Sequence, residues 1–198
     1  MKKLPRVVLL GDSIRLGYQD QVRYELTDEA LLWSPIENGQ HSFNLLLNFN
    51  QWVVAKQPDV LHLNAGIWDT LRVARGSHIQ VVPLEAYAQN VGNLVALARE
   101  YAFAQVIWAT TTPINEAHYE KTLRRLGNSG GHTNADILRY NQAAIEAAQA
   151  NGATINDLHA LVMQNDPDQL ICGDGVHFTT AGSELLGHQV AAKIRELL

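Results

Sequence analysis

The strongest constraint in this chain is a set of short apolar runs that do not alternate. "RVVLL" (6–10) is apolar on four consecutive residues, and "DVLHLNAG" (59–66) and "AQVIWATTT" (104–112) are further buried-strand candidates. A strand with one wet face would alternate, so unbroken runs of this length belong to strands covered on both faces. "ALLWS" (30–34) and "ATIND" (153–157) are weaker strand candidates of the same kind. Helical spacing separates them. An amphipathic stretch follows Ser13; "SFNLLLNFNQWVVAK" (42–56) carries a broad apolar face; "PLEAYAQNVGNLVALAREYA" (83–102) has Pro83 in its first turn. "NADILRYNQAAIEAAQANG" (134–152) offers Asn134 as cap and Gly152 as stop, and "TAGSELLGHQVAAKIRELL" (180–198) closes the chain. This β-α alternation predicts a parallel sheet with helices on both faces and right-handed crossovers. No repeat or linker divides the chain, so one α/β domain over residues 1–198 is expected. The polar stretch 113–133, which contains "NSGGHT", is expected to be a long loop over the sheet's carboxyl edge.

Composition narrows the function. The net charge of -5 and the absence of a basic, aromatic-interleaved patch argue against nucleic acid as a partner. The single cysteine, Cys172, precludes an intrachain disulfide and a cysteine-built metal site. The histidines show no metal-ligand spacing, so no metal is expected. "GNSGG" lacks the Lys-Ser/Thr ending of a phosphate loop. The apolar run ahead of Gly11 is too short for a secretory leader, and no stretch has transmembrane length, which implies a cytoplasmic protein without membrane insertion. The oligomeric state is not encoded in any pattern, and Trp33, Trp52 and Trp108 are expected in the core.

In an open parallel sheet, ligands bind beyond the carboxyl ends of the strands, near the switch point. That rule selects Gly11-Asp12-Ser13, the segment 37–42, the segment 64–69, Thr110–Pro113 and "CGDGVHFTTAG" (172–182) before any motif is consulted. Ser13 is open to two readings, a helix N-cap or a nucleophile at a strand-to-helix turn. A serine nucleophile needs a base, and the base an orienting carboxylate. Asp174 and His177 stand within one loop turn of each other and supply both. A turn with an incidental histidine is the alternative.

These residues form a pattern. "GDSI" near the amino terminus and "DGVHFTTAG" near the carboxyl terminus resemble the first and last blocks of the SGNH, or GDSL-type, serine hydrolases. "ENGQHS" (37–42) and "NAGIWD" (64–69) resemble the blocks between, in order. The resemblance implies a three-layer, flavodoxin-like sandwich with five parallel strands in the order 2-1-3-4-5. It implies Ser13 as nucleophile, His177 as general base then acid, Asp174 as its orienter, ester hydrolysis through an acyl-enzyme, and no cofactor. The oxyanion hole is implied to combine the Ser13 N–H, a backbone N–H of the second block and a side-chain amide of the third.

Two positions depart from the family pattern. Trp68 stands where an Asn usually completes the hole, so its indole N–H, Asn64 or Asn38 must take that role. Gln40 stands where the second block usually has Gly; its N–H serves if its dihedrals allow, with Gly39 as the fallback. Asp12 is expected to hold the turn, and Asp69 to anchor the third loop through backbone hydrogen bonds. Arg15 either meets a polar substrate group or is a solvated helix-face cation, and His62 is expected to be buried and satisfied. The expected substrate is a small-molecule or carbohydrate ester with a small acyl group, acetyl foremost, because Trp68 narrows the pocket and no long apolar lid is apparent. Thioester or lysophospholipid hydrolysis is the alternative, and a non-catalytic binding module the rival of another class.

Overall fold

A computed structural model of the chain describes residues 3–74, 76–127 and 130–198. The apolar runs form a parallel sheet: β1 (Arg6–Leu10), β2 (Leu31–Trp33), β3 (Val60–Leu63), β4 (Gln105–Ala109) and β5 (Thr154–Asn156). Their order is β2-β1-β3-β4-β5. Val8 lies opposite both Trp33 and Leu61, and Trp108 opposite both Leu63 and Ile155. The helices are α1 (Ser13–Glu25), α2 (Ser42–Leu47), α3 (Phe49–Trp52), α4 (Leu84–Tyr101), α5 (Glu116–Leu126), α6 (Asn134–Ala150), α7 (Leu158–Met163), α8 (Pro167–Leu170) and α9 (Thr180–Arg195).

The unbroken apolar runs are explained by the two cores they separate. Successive strand side chains point to opposite faces. Val8, Leu10, Leu61, Leu63, Val106 and Trp108 pack with α2, α3, α4 and α6 on one face. Val7, Leu9, Val60, Ile107 and Ala109 pack with α1, α7 and α9 on the other. Each such buried side chain contributes about 1.5–3 kcal/mol of transfer free energy. Trp52 and Trp108 belong to this core. Trp33 is only half-buried, with Lys56 Nζ 4.3 Å from its ring centroid.

The chain leaves β1 to form β2 on one side, then returns past β1 to form β3 on the other. The carboxyl ends of β1 and β3 therefore flank the switch-point crevice.

Three expectations change. Residues 42–56 are not one helix but α2, α3 and a 3₁₀ turn at Val54–Lys56. Asn48 ends α2, and its Nδ2 donates to the Asn44 carbonyl at 2.9 Å, a local competitor to helix continuation. Asn134 does not cap α6; Thr133 does, while the Asn134 amide is engaged in both directions with the backbone of Ile114. The stretch 113–133 is largely helical rather than a loop, since α5 lies within it; Asn128 and Ser129 of "GNSGG" lie outside the described residues. Asn115 caps α5, and its N–H donates to the Gly175 carbonyl at 2.9 Å. A small cluster of Ile67, Ile114 and Ile137, with Tyr119 and Val176 against it, seats the helix over the carboxyl edge of the sheet. None of the described helices is long and apolar enough to cross a membrane.

Candidate active site

β1 delivers its last residue into a tight turn. A side chain at Gly11 would place its Cβ 2.7 Å from Arg15 Cβ, so the turn packs against the helix it starts. Asp12, not Ser13, is the N-cap of α1: its Oδ1 accepts from the Ile14 N–H at 2.9 Å. Ser13 is the first helical residue. Its N–H has no intrahelical acceptor, and its hydroxyl is spared capping work.

His177 meets it from the loop before α9. His177 Nε2 lies 2.9 Å from Ser13 Oγ, and Nδ1 lies 2.7 Å from Asp174 Oδ2. When Nδ1–H donates to the carboxylate, Nε2 is left as the acceptor of the Ser13 hydroxyl proton. The other oxygen, Asp174 Oδ1, accepts from the Val176 and His177 N–H groups at 2.9 and 3.0 Å. Partial burial opposes ionisation of Asp174, but these hydrogen bonds outweigh it and hold its carboxyl below the ordinary range. The Cys172 N–H donates to the His177 carbonyl at 2.7 Å and the Gly175 N–H to the Cys172 carbonyl at 2.9 Å, so the cysteine braces the loop through its backbone. Gly175 has φ of 85°, and a Cβ there would lie 2.3 Å from Tyr119 N. Glycine is required both for that dihedral and for the approach of α5.

The facing wall comes from the second and third blocks. Gln40 adopts φ of 55°, a left-handed conformation uncommon for a residue other than glycine. Its N–H is taken by Asn38 Oδ1 at 2.8 Å, and the Gly39 N–H by the Gly11 carbonyl at 2.9 Å. Both backbone donors that the second block offers for an oxyanion hole are thus engaged. Asn64 is turned into the sheet, where its Nδ2 donates to the Ala109 carbonyl at 2.9 Å. Asn38 and Trp68 instead line one cavity of about 570 Å³ together with Ser13, Asp174 and His177. Ile67, Leu71, Tyr119, Leu126 and Val176 make the rest of that cavity mostly apolar. Trp68 is 37% exposed, a rim residue rather than a core one.

Buried polar groups hold these blocks in place. Arg15 is neither solvated nor free for substrate: it is 1% exposed and donates to the Pro35 carbonyl at 2.8 Å and the Glu37 carbonyl at 2.6 Å. It fixes the approach to Asn38. Asp69 bonds the second block rather than its own loop: its Oδ1 accepts from Ser42 N at 3.0 Å and Ser42 Oγ at 2.5 Å. Burial raises its pKa to about 6, although the bonds from Ser42 oppose the shift. Asp12 is also pushed up to about 6, by burial first and by the neighbouring Asp69 charge, against the bond from the Ile14 N–H. His62 is buried as expected but only half satisfied: Nε2 lies 3.2 Å from Asn156 Nδ2, and Nδ1 has no partner among the described residues. Among the described residues no group of three or more His, Cys, Asp or Glu converges as a metal site would require.

Residues that sequence reasoning missed come chiefly from α5 and the segment after it: Tyr119, Thr122, Arg125, Leu126 and His132 all line the cavity. The signal was present, since Tyr119, Leu123 and Leu126 recur at helical spacing within the polar stretch.

No family model matches the chain. Isoamyl acetate-hydrolyzing esterase 1 homolog of Rattus norvegicus is 26% identical over 199 residues, covering 92% of this chain and 78% of that protein. A GDSL esterase/lipase of Arabidopsis thaliana is 30% identical over 138 residues, 66% of this chain and 56% of its own length. Among solved structures, a lipase/acylhydrolase from Enterococcus faecalis superposes with a TM-score of 0.79 at 20% identity, over 98% of this chain and 96% of that one. The acetyl xylan esterase AlAXEase superposes with a TM-score of 0.75 at 21% identity, over 96% and 99%. The sheet order and these neighbours identify the SGNH hydrolase fold, and relatives named as esterases set aside the non-catalytic module. By fold and by relatives, the chain is an enzyme related to the GDSL-type esterases and built on the SGNH hydrolase scaffold.

Proposed function

We propose that the chain is a serine esterase that cleaves small acyl esters, acetyl esters foremost, through an acyl-enzyme on Ser13. The observation that carries this is the relay Ser13 Oγ to His177 Nε2 at 2.9 Å and His177 Nδ1 to Asp174 Oδ2 at 2.7 Å. In the first half-reaction His177 takes the hydroxyl proton as Oγ attacks the acyl carbonyl, then returns it to the departing alcohol. In the second, it deprotonates the water that releases the acid. Asp174 stays ionised and steadies the imidazolium.

The developing oxyanion takes the Ser13 N–H, which has no intrahelical acceptor, and a side-chain donor from the facing wall, either the Trp68 indole or the Asn38 amide. With Asn38 Oδ1 held by the Gln40 N–H, its Nδ2 is the group left to donate. A fluorophosphonate probe is expected to label Ser13, and hydrolysis of 4-nitrophenyl acetate to vanish in Ser13→Ala. Undiminished hydrolysis in that variant overturns the mechanism.

The names of the relatives support acetyl esters, whether of a simple alcohol or of a carbohydrate. The expectation drawn from the absence of an apolar lid no longer supports it, because α5 lines the cavity with Tyr119 and Leu126. A cavity of about 570 Å³ favours a second reading, a thioesterase or lysophospholipase type of activity on longer acyl chains. A series of 4-nitrophenyl esters from acetate to decanoate separates the two: kcat/KM falling with chain length supports the first reading, and rising values the second.

A further inference from the structure

His132 lies between α5 and α6 and lines two cavities at once. One is the cavity over Ser13. The other, about 500 Å³, adjoins it through Tyr119 and His132 and is bordered by Arg72, Glu116, Arg124 and Thr133. The two differ in character, the first mostly apolar and the second edged by charged and hydroxyl side chains. Its cations are already matched: Arg72 pairs with the buried Asp136 at 2.7 Å, and Arg124 with Glu120 at 2.6 Å.

The protonation of the shared histidine follows from counting hydrogens. Thr70 Oγ1 donates its only proton to the Ile67 carbonyl at 3.0 Å. The same oxygen lies 3.2 Å from His132 Nδ1, so Nδ1 must be the donor in that contact. The opposite assignment would strip the Ile67 carbonyl of this bond. Nδ1 therefore carries the proton and Nε2 keeps its lone pair. Among the described residues Nε2 has no hydrogen-bond partner, and it is not sealed from solvent. The ring is held against Tyr119 with centroids 5.2 Å apart. Burial lowers its pKa to about 4, although the Asp136 charge pulls the other way, so the ring is neutral near pH 7.

A fixed, neutral lone pair on a cavity wall selects for a donor. It accepts from a hydroxyl and offers nothing to a carboxylate or phosphate oxygen. We propose that His132 Nε2 accepts a hydrogen bond from a hydroxyl on the alcohol moiety of the ester, so that esters of polyols or sugars, lying from Ser13 across His132 into the second cavity, are preferred over esters of plain alcohols. This rests on the ester-hydrolase reading above and adds the part of the substrate that is recognised.

The test compares glycerol monoacetate with propyl acetate, which share a three-carbon alcohol and differ in its hydroxyl groups. In His132→Phe, which keeps an aromatic ring beside Tyr119, the ratio of kcat/KM for glycerol monoacetate over propyl acetate is expected to fall about 10-fold, mainly through KM, as for loss of one hydrogen bond of about 1.4 kcal/mol. An unchanged ratio overturns the proposal, including the case where both substrates lose equally. Ser13-dependent turnover of propyl acetate with an unchanged ratio defeats only the His132 assignment. If the wild-type enzyme hydrolyses neither ester, the hydrolase reading fails and takes this one with it. Should the variant not fold, ¹⁵N-histidine spectra of the wild-type protein decide: Nε2 is expected unprotonated at pH 7 and shifted by glycerol more than by 1-propanol. A protonated Nε2, or equal shifts with the two alcohols, overturns the proposal.

Discussion

The two walls of the cavity are built on different principles. On one wall, Ser13, His177 and Asp174 are joined by contacts of 2.9 and 2.7 Å, and the loop carrying Asp174 and His177 is cross-braced by its own backbone. On the other, Asn38 and Trp68 come from two loops: Asp69 ties the third block to the second, and Arg15 ties the second block to α1. The first wall is set by short-range chemistry: a cap, an Asp-x-x-His turn and a glycine. The second depends on buried polar groups that reach between blocks, and there the residues depart from the family pattern. Proton transfer needs one geometry, whereas oxyanion stabilisation needs only a donor within reach, which several side chains can supply. The second wall is therefore the freer to vary.

Breaking the first wall is expected to give the largest effects. Ser13→Ala and His177→Ala should each lower kcat by about 10⁴-fold or more, and the double variant by little beyond either, because the groups act as a unit. Steady-state rates on 4-nitrophenyl acetate check this; additive losses would mean that the two residues do not work together.

Substitutions on the second wall sharpen the contrast. Asn38→Asp keeps the acceptor for the Gln40 N–H but removes the Nδ2 donor and adds charge. Trp68→Phe keeps the ring and removes the indole N–H. Loss of the true donor should cost about 10²–10³-fold in kcat, and the other variant should cost far less. Comparable small losses in both would leave the oxyanion to the Ser13 N–H alone.

Gly175→Ala tests the joint between the Asp174–His177 loop and α5. The positive φ and the 2.3 Å approach to Tyr119 N predict a loss of about 1–3 kcal/mol in stability, or several degrees in Tm. Activity should fall with it, since the same loop positions His177. Thermal melts with parallel rate measurements would show whether the joint is as rigid as the packing implies.

The smallest expected effect concerns the buried carboxylates behind the second wall. Asp12 and Asp69 have pKa values raised to about 6, so the folded chain binds more protons than the unfolded one above the ordinary carboxylate range. Their contribution is fully present below about pH 4 and is lost as pH rises through about 6. Tm should therefore decline less steeply between pH 4 and 7 in Asp12→Asn than in the unsubstituted protein. Asparagine can keep the Oδ1 acceptor for the Ile14 N–H but has no charge to bury. Parallel pH profiles would contradict the assignment.

The sheet was legible in the sequence because burial on both faces left consecutive apolar residues at Val7, Val8, Leu9 and Leu10, and apolar Val60, Leu61 and Leu63 in the next run. The residues brought together at Ser13, Asp174 and His177 were legible because each sits beside a turn with local chemistry of its own. The polar stretch that becomes α5 was misread because its many charges obscured the spacing of Tyr119, Leu123 and Leu126. Arg15 was misread for a related reason: no local pattern announces that a cation will be buried under carbonyls from Pro35 and Glu37, 20 and 22 positions away. By itself the sequence determined the layered architecture and the end blocks, since both follow from periodicity and near-neighbour bonding. Only the tertiary structure decided that Gln40's N–H is taken, that Asn64 faces the sheet, that α5 walls the cavity, and that His132 offers its lone pair. Each depends on which donors and acceptors from distant segments meet when water is excluded.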